Sequence, residues 1–290
     1  MTITTKITAL GGAHWDILGR AQVAMSLYDD VPGNVRRMVG GVAGPVAMKL
    51  ASLDVHVDLM AYAGHDELGD ALIGKLEQYQ VHTSKMTRGD LPTDVYMGIE
   101  APNGLIAAIA DCHSLEAVSM DIVKALLKQD NSDRIVVVDG NLREDALAFL
   151  AKQDFQTAEL ILVPASPGKI GRFLPFNRRN DTSLYVNLRE ANALCNKGFE
   201  TSSEAASALV ELGYKGAVVS NGGDVAAHAG AHGLVTSLPP QITVKRFTGA
   251  GDTLTGHHIF ATARGDDPQA ALEYALQATA HFISHEDLDV

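Results

Sequence analysis

The chain has 290 residues, of which 46% are hydrophobic and 20% are charged, and its formal net charge is −12. This length and composition exclude a disordered or fibrous protein and allow a large buried core. The acidic balance argues against a nucleic-acid partner, because phosphate backbones are bound chiefly by clustered Lys and Arg.

The cysteines and the N-terminal residues indicate the cellular compartment of the protein. Cys112 and Cys195 show neither a metal-binding nor a disulfide pattern, and such isolated thiols suit a reducing compartment. No run reaches the roughly 18 apolar residues that a membrane span needs, and residues 1–12 do not resemble a leader peptide. We therefore expect a soluble, cytoplasmic protein without a membrane partner.

Strand-like and helix-like segments alternate along the chain. Apolar runs typical of buried parallel strands lie at 7–10, 55–62, 135–139, 160–163, 184–187 and 217–220. Segments of helical length and periodicity lie at 46–53, 68–79, 120–128, 145–152, 203–212, 253–263 and 269–284. The alternation predicts a layered α/β fold with a largely parallel central sheet, in a single domain over residues 1–290.

Two stretches interrupt this alternation. Residues 93–110 contain two short strand patterns around Pro102-Asn103-Gly104, and residues 17–39 contain a similar pattern around Pro32-Gly33. Together they predict a small β-sheet that projects from the domain. Such a sheet could close over a substrate and exclude water, or it could be an ordinary surface hairpin. A homodimer through this sheet is a further expectation.

The segment 248–252 carries the clearest chemical signal. It is predicted to follow a short strand at 244–247 and to open a helix. Its small residues let backbone amides converge at a helix N-terminus, so Gly249, Ala250 and Gly251 can form an anion hole. Asp252, beside them, can accept the proton of an attacking hydroxyl. This combination indicates phosphoryl transfer, although Gly-rich turns with a capping Asp are also common without any catalytic role.

Five ordered motifs resemble the PfkB, or ribokinase-like, family of carbohydrate and nucleoside kinases over essentially the whole chain. They are Gly12-Ala13-His14-Trp15-Asp16, Gly40-Gly41-Val42-Ala43, Gly64-His65-Asp66-Glu67-Leu68-Gly69, Asn187-Leu188-Arg189-Glu190 and the segment 248–252. The resemblance implies a ribokinase-like α/β/α fold with a small β lid. It also implies a kinase that uses ATP and Mg²⁺ and phosphorylates a small sugar or nucleoside.

The resemblance assigns roles to individual residues. Asp252 is the catalytic base, helped by the amides of Gly249, Ala250 and Gly251. The nucleotide is bound by Asn187, Ser220, Gly222, Gly223 and Thr248, and Mg²⁺ is organised through water by Asn187 and Glu190. The acceptor is bound by Asp16, Gly40, Gly41, His14 and Lys169.

The residues alone leave plainer readings open for several of these positions. Asp16 and Asn187 could be turn residues at strand ends, and Glu190 could lie on a solvated helix face. Residues 220–224 could be a plain hairpin turn, and His14 could be a structural histidine. No Walker A string occurs, so phosphate binding is assigned to the anion hole.

Three strings resemble the pseudouridine kinase branch of the family, at residues 32–37, 138–142 and 164–169. They favour transfer to the 5′-hydroxyl of pseudouridine, with ribose, fructose or another nucleoside as alternative acceptors.

The chain also departs from the family at three positions. Pro45 and His14 replace residues that are usually Asn, and Arg246 stands where many members have an acidic residue near a monovalent-cation site. These departures leave the acceptor open and keep a non-catalytic nucleotide or sugar sensor as an alternative. The charge of Arg246 also predicts little or no activation by potassium.

Overall fold

Two β-sheets and the helices packed on them make up the fold of the computed structural model, which describes residues 5–26, 28–102, 104–129, 134–154, 159–246 and 248–285. Asn103, in the predicted turn of the small sheet, and Phe247, in the predicted strand before residue 248, lie outside the described residues. No described helix is long and apolar enough to cross a membrane.

The described strands and helices follow one another along the whole chain. The strands are β1 (Lys6–Leu10), β2 (Ala13–Ala21), β3 (Gly33–Gly41), β4 (Val57–Met60), β5 (Tyr62–Gly64), β6 (Thr87–Gly89), β7 (Val95–Ala101), β8 (Gly104–Asp111), β9 (Arg134–Asp139), β10 (Glu159–Val163), β11 (Thr182–Asn187), β12 (Gly216–Ser220), β13 (Ala226–Gly230) and β14 (Gly233–Ser237). The helices are α1 (Ala43–Ala51), α2 (Glu67–Gln78), α3 (His113–Leu127), α4 (Glu144–Leu150), α5 (Leu188–Cys195), α6 (Ser202–Glu211), α7 (Ala250–Arg264) and α8 (Pro268–Ile283), with a 3₁₀ helix over Ile170–Phe176.

The larger sheet has the order β14-β13-β12-β11-β10-β9-β1-β4. Its strands are parallel from β4 to β12, while β13 and β14 continue the sheet antiparallel. The parallel strands are apolar on both faces because helices cover both faces. One core cluster packs under α3, α4, α5 and α6, and the other under α1, α2, α7 and α8. The predicted layered α/β fold is therefore confirmed.

The smaller sheet has the order β3-β2-β7-β8. The chain enters it after β1 through Gly11 and Gly12 and leaves it at Gly41, which precedes α1. Gly41 has a φ of 85°, a conformation that favours glycine. The small sheet predicted beside the main layers is thus present, with strands that begin at Ala13 and Val95. It stands over the carboxyl ends of the parallel strands, where open α/β sheets bind ligands.

Three local expectations differ from the structure. The run 55–62 is divided between β4 and β5, because Tyr62 pairs with Thr87 of β6 and leaves the main sheet. The predicted strand at 244–247 is wrong for its described part, since the N–H groups of Lys245 and Arg246 donate to the Ile283 carbonyl at the end of α8. Helix α5 and the strands β13 and β14 are absent from the predicted segments, although a helix face at Glu190 and a hairpin turn at 220–224 were among the open readings.

Candidate active site

Asp139, the last residue of β9, joins the turns on the small-sheet side of the site. Its side chain is fully buried. One carboxylate oxygen accepts the N–H of Gly12 at 2.8 Å and those of Val42 and Ala43 at 3.3 Å, and the other accepts the N–H of Asn141 at 2.7 Å. Because one carboxylate satisfies donors from three chain segments, it fixes the turn after β1 against the start of α1.

The glycines of the Gly40-Gly41 pair allow two close approaches. A Cβ added at Gly40 would collide with the carboxylate of Asp16 on the neighbouring strand β2. A Cβ at Gly41 would collide with the Gly12 carbonyl. The pair therefore lets β3 pass directly beside Asp16 and the β1 turn, which no side chain at either position would permit.

A pocket of about 80 Å³, here called the small-sheet pocket, lies between the small sheet and the start of α7. Asp16, Gly40, Gly41 and Asp252 are among its lining residues. A neighbouring pocket of about 260 Å³, the rim pocket, shares Met38, Arg246 and Thr248 with it. Thr248, predicted to bind nucleotide, thus lies on the same side of the site as Asp16.

His14 and Lys169 are placed differently from the other predicted acceptor-binding residues. His14 is buried, and its Nδ1 lies 3.0 Å from Oδ1 of Asp16, although the two groups are not aligned as a hydrogen bond. Lys169 donates to Oδ1 of Asn141 at 2.9 Å. Neither residue is among those lining the described pockets; His14 lies next to the pocket residue Asp16, whereas Lys169 is bonded to Asn141, which lines none of these pockets.

The start of α7 brings the anion hole and Asp252 together. Gly249 caps the helix with a φ of 85°, and Asp252 lies in the first turn. The backbone N–H groups of a first helical turn have no partner within the helix, so those of this turn can bind an anion. Burial and the nearby carboxylates of Asp139 and Asp16 raise the pKa of Asp252 to about 7, against the opposing effect of Lys49. A carboxyl with this pKa is a stronger base than an ordinary Asp.

A pocket of about 360 Å³, the hairpin pocket, lies on the opposite side of the α7 turn. Its polar wall contains Ser220, Gly222 and Gly223 from the turn between β12 and β13, together with Ala250 and Gly251. The remaining wall is largely apolar and includes Pro239, Pro240, Ile242, Val244, Leu254, Leu276, Ala280 and Ile283. The turn at 220–224 is therefore both a hairpin connection and a pocket wall. The hairpin pocket, with one apolar wall and one polar wall, suits a flat apolar ring that carries a phosphate chain.

Asn187 and Glu190 line a fourth pocket of about 290 Å³, the α5 pocket, together with Asp252. Asn187 Oδ1 accepts the Glu190 N–H at 3.0 Å, and a Glu190 carboxylate oxygen accepts the Asn187 N–H at 2.9 Å. This capping box holds Glu190 at 7% exposure, and burial raises its pKa. The second Glu190 oxygen is left for a ligand, which fits a Mg²⁺ ion that keeps most of its waters.

Comparison with known sequences bears directly on this arrangement. Residues 17–288 match the family model described as pfkB family carbohydrate kinase. The chain belongs to the PfkB family. It is accordingly a phosphotransferase with a hydroxyl group as acceptor, and ATP is its co-substrate.

Individual relatives agree with this family assignment. The chain is 24% identical to the pseudouridine kinase of Escherichia coli (strain K12) over 255 residues, which are 86% of this chain and 80% of that kinase. A carbohydrate kinase from Agrobacterium tumefaciens superposes with a TM-score of 0.78 at 26% identity, covering 98% of this chain and 94% of that one. Ribokinase from Thermotoga maritima gives a TM-score of 0.78 at 19% identity, covering 98% and 95%. The ribokinase-like fold is thereby confirmed.

Sequence reasoning missed several residues of this PfkB-family site. Asp139 was noted only within a local string, although an Asp at the end of a buried strand before Gly-Asn is a visible signal. Lys49 was passed over, although a Lys within an otherwise buried helical run is unusual. Phe282, which stands in none of the motifs, also lines the small-sheet pocket.

Proposed function

We propose that this PfkB-family kinase phosphorylates the 5′-hydroxyl of a ribose-like group, with pseudouridine as the favoured acceptor. The proposal is carried by one observation: Asp252 lines both the small-sheet pocket and the α5 pocket. A base at the boundary between two pockets is placed to act between an acceptor on one side and phosphates on the other. The E. coli relative and the strings 32–37, 138–142 and 164–169 support pseudouridine.

The transfer assigns each group a defined task. Asp16 orients the sugar, and an oxygen of Asp252 takes the proton of the acceptor hydroxyl. The hydroxyl oxygen forms a bond to the γ-phosphorus of ATP while the bond from that phosphorus to the β,γ-bridging oxygen breaks, which leaves ADP. The N–H groups of Gly249, Ala250 and Gly251 donate to phosphoryl oxygens as charge moves between them.

The same proposal covers the cofactor and the assembly. Mg²⁺ bound with the nucleotide would be held through water by Glu190 and Asn187 and would neutralise phosphate charge. The adenine would occupy the apolar wall of the hairpin pocket. Two copies would associate through the small sheet.

Ribose, fructose and other nucleosides are the alternative acceptors, because Pro45 in the small-sheet pocket cannot supply the amide of the usual Asn.

The test is ADP release with Mg-ATP and, in turn, pseudouridine, uridine, adenosine, ribose and fructose. Pseudouridine should give the highest kcat/KM. Asp252→Asn should lower kcat by at least about 100-fold while leaving ATP binding intact, because the base is lost and the pockets are kept. Asp121→Asn, on the exposed surface of α3, is the matched control.

Two outcomes would count against the proposal. Full turnover by the Asp252→Asn variant would rule out the assigned base. Acceptor-dependent turnover with every compound except pseudouridine would keep the kinase and exclude the favoured acceptor, whereas silence across the panel would favour the sensor.

A further inference from the structure

Lys49 is a buried cation whose ammonium has no hydrogen-bond partner in the described part of the chain. Its side chain extends from α1, and the residue is 3% exposed. Removing an ammonium from water without a compensating contact is costly. A lysine kept in this state points to a ligand that supplies the missing contact.

The Lys49 side chain extends towards the first turn of α7, which contains Asp252. A Cβ added at Gly256 would lie 2.8 Å from Cβ of Lys49, so α1 crosses α7 closely at this glycine. Gly256 is four residues after Asp252 and therefore lies on the same face of α7, one turn further along. The Lys49 ammonium ends 3.2 Å from the centre of the Phe282 ring, and that ring also packs against Gly249.

The aromatic ring does not account for the charge. The guanidinium of Arg246 lies 3.5 Å from the centre of the same Phe282 ring, so two cations contact one aromatic ring. Arg37 and Lys75 also line this pocket, against the acidic Asp16 and Asp252. Four basic groups around one small space favour an anionic occupant.

The size of the space limits what that occupant is. Lys49 and Asp252 both line the small-sheet pocket, whose volume is about 80 Å³. About 10–15 Å³ of such volume is enough to hold one water, so the pocket has room for a phosphoryl group together with a hydroxymethyl arm. The ammonium and the base therefore face the reacting end of the acceptor, and the rim pocket is left for the remainder.

We propose that Lys49 is a catalytic residue that donates hydrogen bonds to an oxygen of the phosphoryl group as it passes to the acceptor. This role rests on the proposed kinase function. Lys49 keeps its protons throughout, while the hydroxyl proton goes to Asp252 and the bonds at phosphorus change as described above. A fixed cation at this point stabilises the charge that develops on the transferring group.

The protonation states agree with this geometry. Burial and the charge of Arg246 lower the pKa of Lys49 to about 7, and Asp252 opposes that effect. A phosphoryl group in the pocket would favour the ammonium form, because opposite charges favour the charged state. Lys49 in turn lowers the pKa of Asp252, so loss of Lys49 would raise that pKa.

The test compares Lys49→Met with Lys124→Met, which removes an exposed charge from α3. Lys49→Met should lower kcat about 100-fold, as removal of a transition-state donor does. The acidic limb of its kcat/KM profile should move to higher pH, and a basic limb due to Lys49 should vanish. Its Tm should stay equal or rise, because an apolar chain of similar length replaces an unpaired buried charge. Lys124→Met should change none of these.

A binding measurement keeps the test independent of turnover. In wild type, the Mg²⁺ complex of the β,γ-imido analogue of ATP should bind more tightly than Mg-ADP. Lys49→Met should lower the affinity for the analogue about tenfold and leave the affinity for Mg-ADP unchanged. Equal effects on both nucleotides, or kcat within twofold of wild type, would overturn the proposal. A large fall in Tm with an unmoved pH profile would show a structural role instead. Absence of turnover in wild type would refute the kinase proposal, and the nucleotide difference would still decide the role of Lys49.

Discussion

Gly40 positions Asp16, the proposed sugar-binding residue, by having no side chain of its own. The Asp16 carboxylate occupies the space that a Cβ at Gly40 would need. Gly40→Ala should therefore displace Asp16 and lower kcat/KM for the acceptor about 100-fold, as misplacement by about 1 Å can do. The KM for ATP should hardly change, because the hairpin pocket is not touched. Initial rates with each substrate varied in turn measure both effects.

The chain contains a matched control for this substitution. A Cβ at Gly74, within α2, would meet no atom within 4 Å. Gly74→Ala should leave the rates unchanged and raise stability by up to about 1 kcal/mol, the difference in helix propensity. Wild-type acceptor kinetics in Gly40→Ala would contradict the assigned role of Asp16.

Single residues also show why part of the site escapes sequence reasoning. Asp16, Gly40 and Asp252 stand in short motifs with a local chemical meaning, and the structure brings them to one pocket. Lys49 acquires its meaning only where α1 crosses α7 at Gly256. That crossing is a long-range contact, and no local pattern encodes it.

At the scale of elements, helix α5 combines a capping box with the proposed Mg²⁺ position at Glu190. Glu190→Gln should keep the cap, since an amide oxygen can still accept the Asn187 N–H, while the buried negative charge is lost. Stability should change little, and the Mg²⁺ concentration for half-maximal rate should rise about 10- to 100-fold, the usual cost of disturbing an ion's surroundings. Titration of the rate with Mg²⁺ at saturating ATP measures the change.

Helix α6 supplies the comparison. Thr201 and Glu204 form the same type of capping box there, with Glu204 exposed. Glu204→Gln should leave the Mg²⁺ requirement unaltered. If both variants behaved alike, Glu190 would be a cap and nothing more.

The elements were predictable to different degrees, for physical reasons. Buried strands such as β9 have continuous apolar runs, and long amphipathic helices such as α8 have clear periodicity, so both were predicted within a few residues. Strand β13, with the sequence AAHAG, has low strand propensity and exists because it pairs with β12. Residues 244–246 have a strand-like sequence, but the N–H groups of Lys245 and Arg246 bond to the end of α8 instead of to a strand.

At the scale of the whole molecule, the small sheet presents an uncovered apolar face. Ile109 of β8 pairs with Met97 of β7, and Ile99 lies two residues further along β7 on the same face. Ile109, Met97 and Ile99 are 70%, 47% and 37% exposed. Exposed patches of this kind mark association surfaces. We expect a dimer through this sheet, and sedimentation velocity over a range of concentrations tests it.

A charge placed on that face should separate the copies. Ile109→Lys should yield monomers, because pairing would bury an uncompensated charge. Leu212→Lys, at the end of α6, introduces the same charge at an exposed leucine elsewhere and should leave the dimer intact. A wild-type chain that sediments as a monomer at all concentrations would refute the expectation.

The positions that shape the two sides of the site are unevenly distributed along the sequence. Asp16, Gly40, Gly41 and Lys49 all fall within the first 50 residues, whereas the hairpin pocket is lined entirely by residues from Ser220 onwards. Under the proposed assignment of the two sides, genetic variation confined to the first segment alters acceptor recognition and leaves nucleotide recognition unchanged. A lineage with this layout can evolve specificity for new acceptors while it keeps the same binding site for ATP.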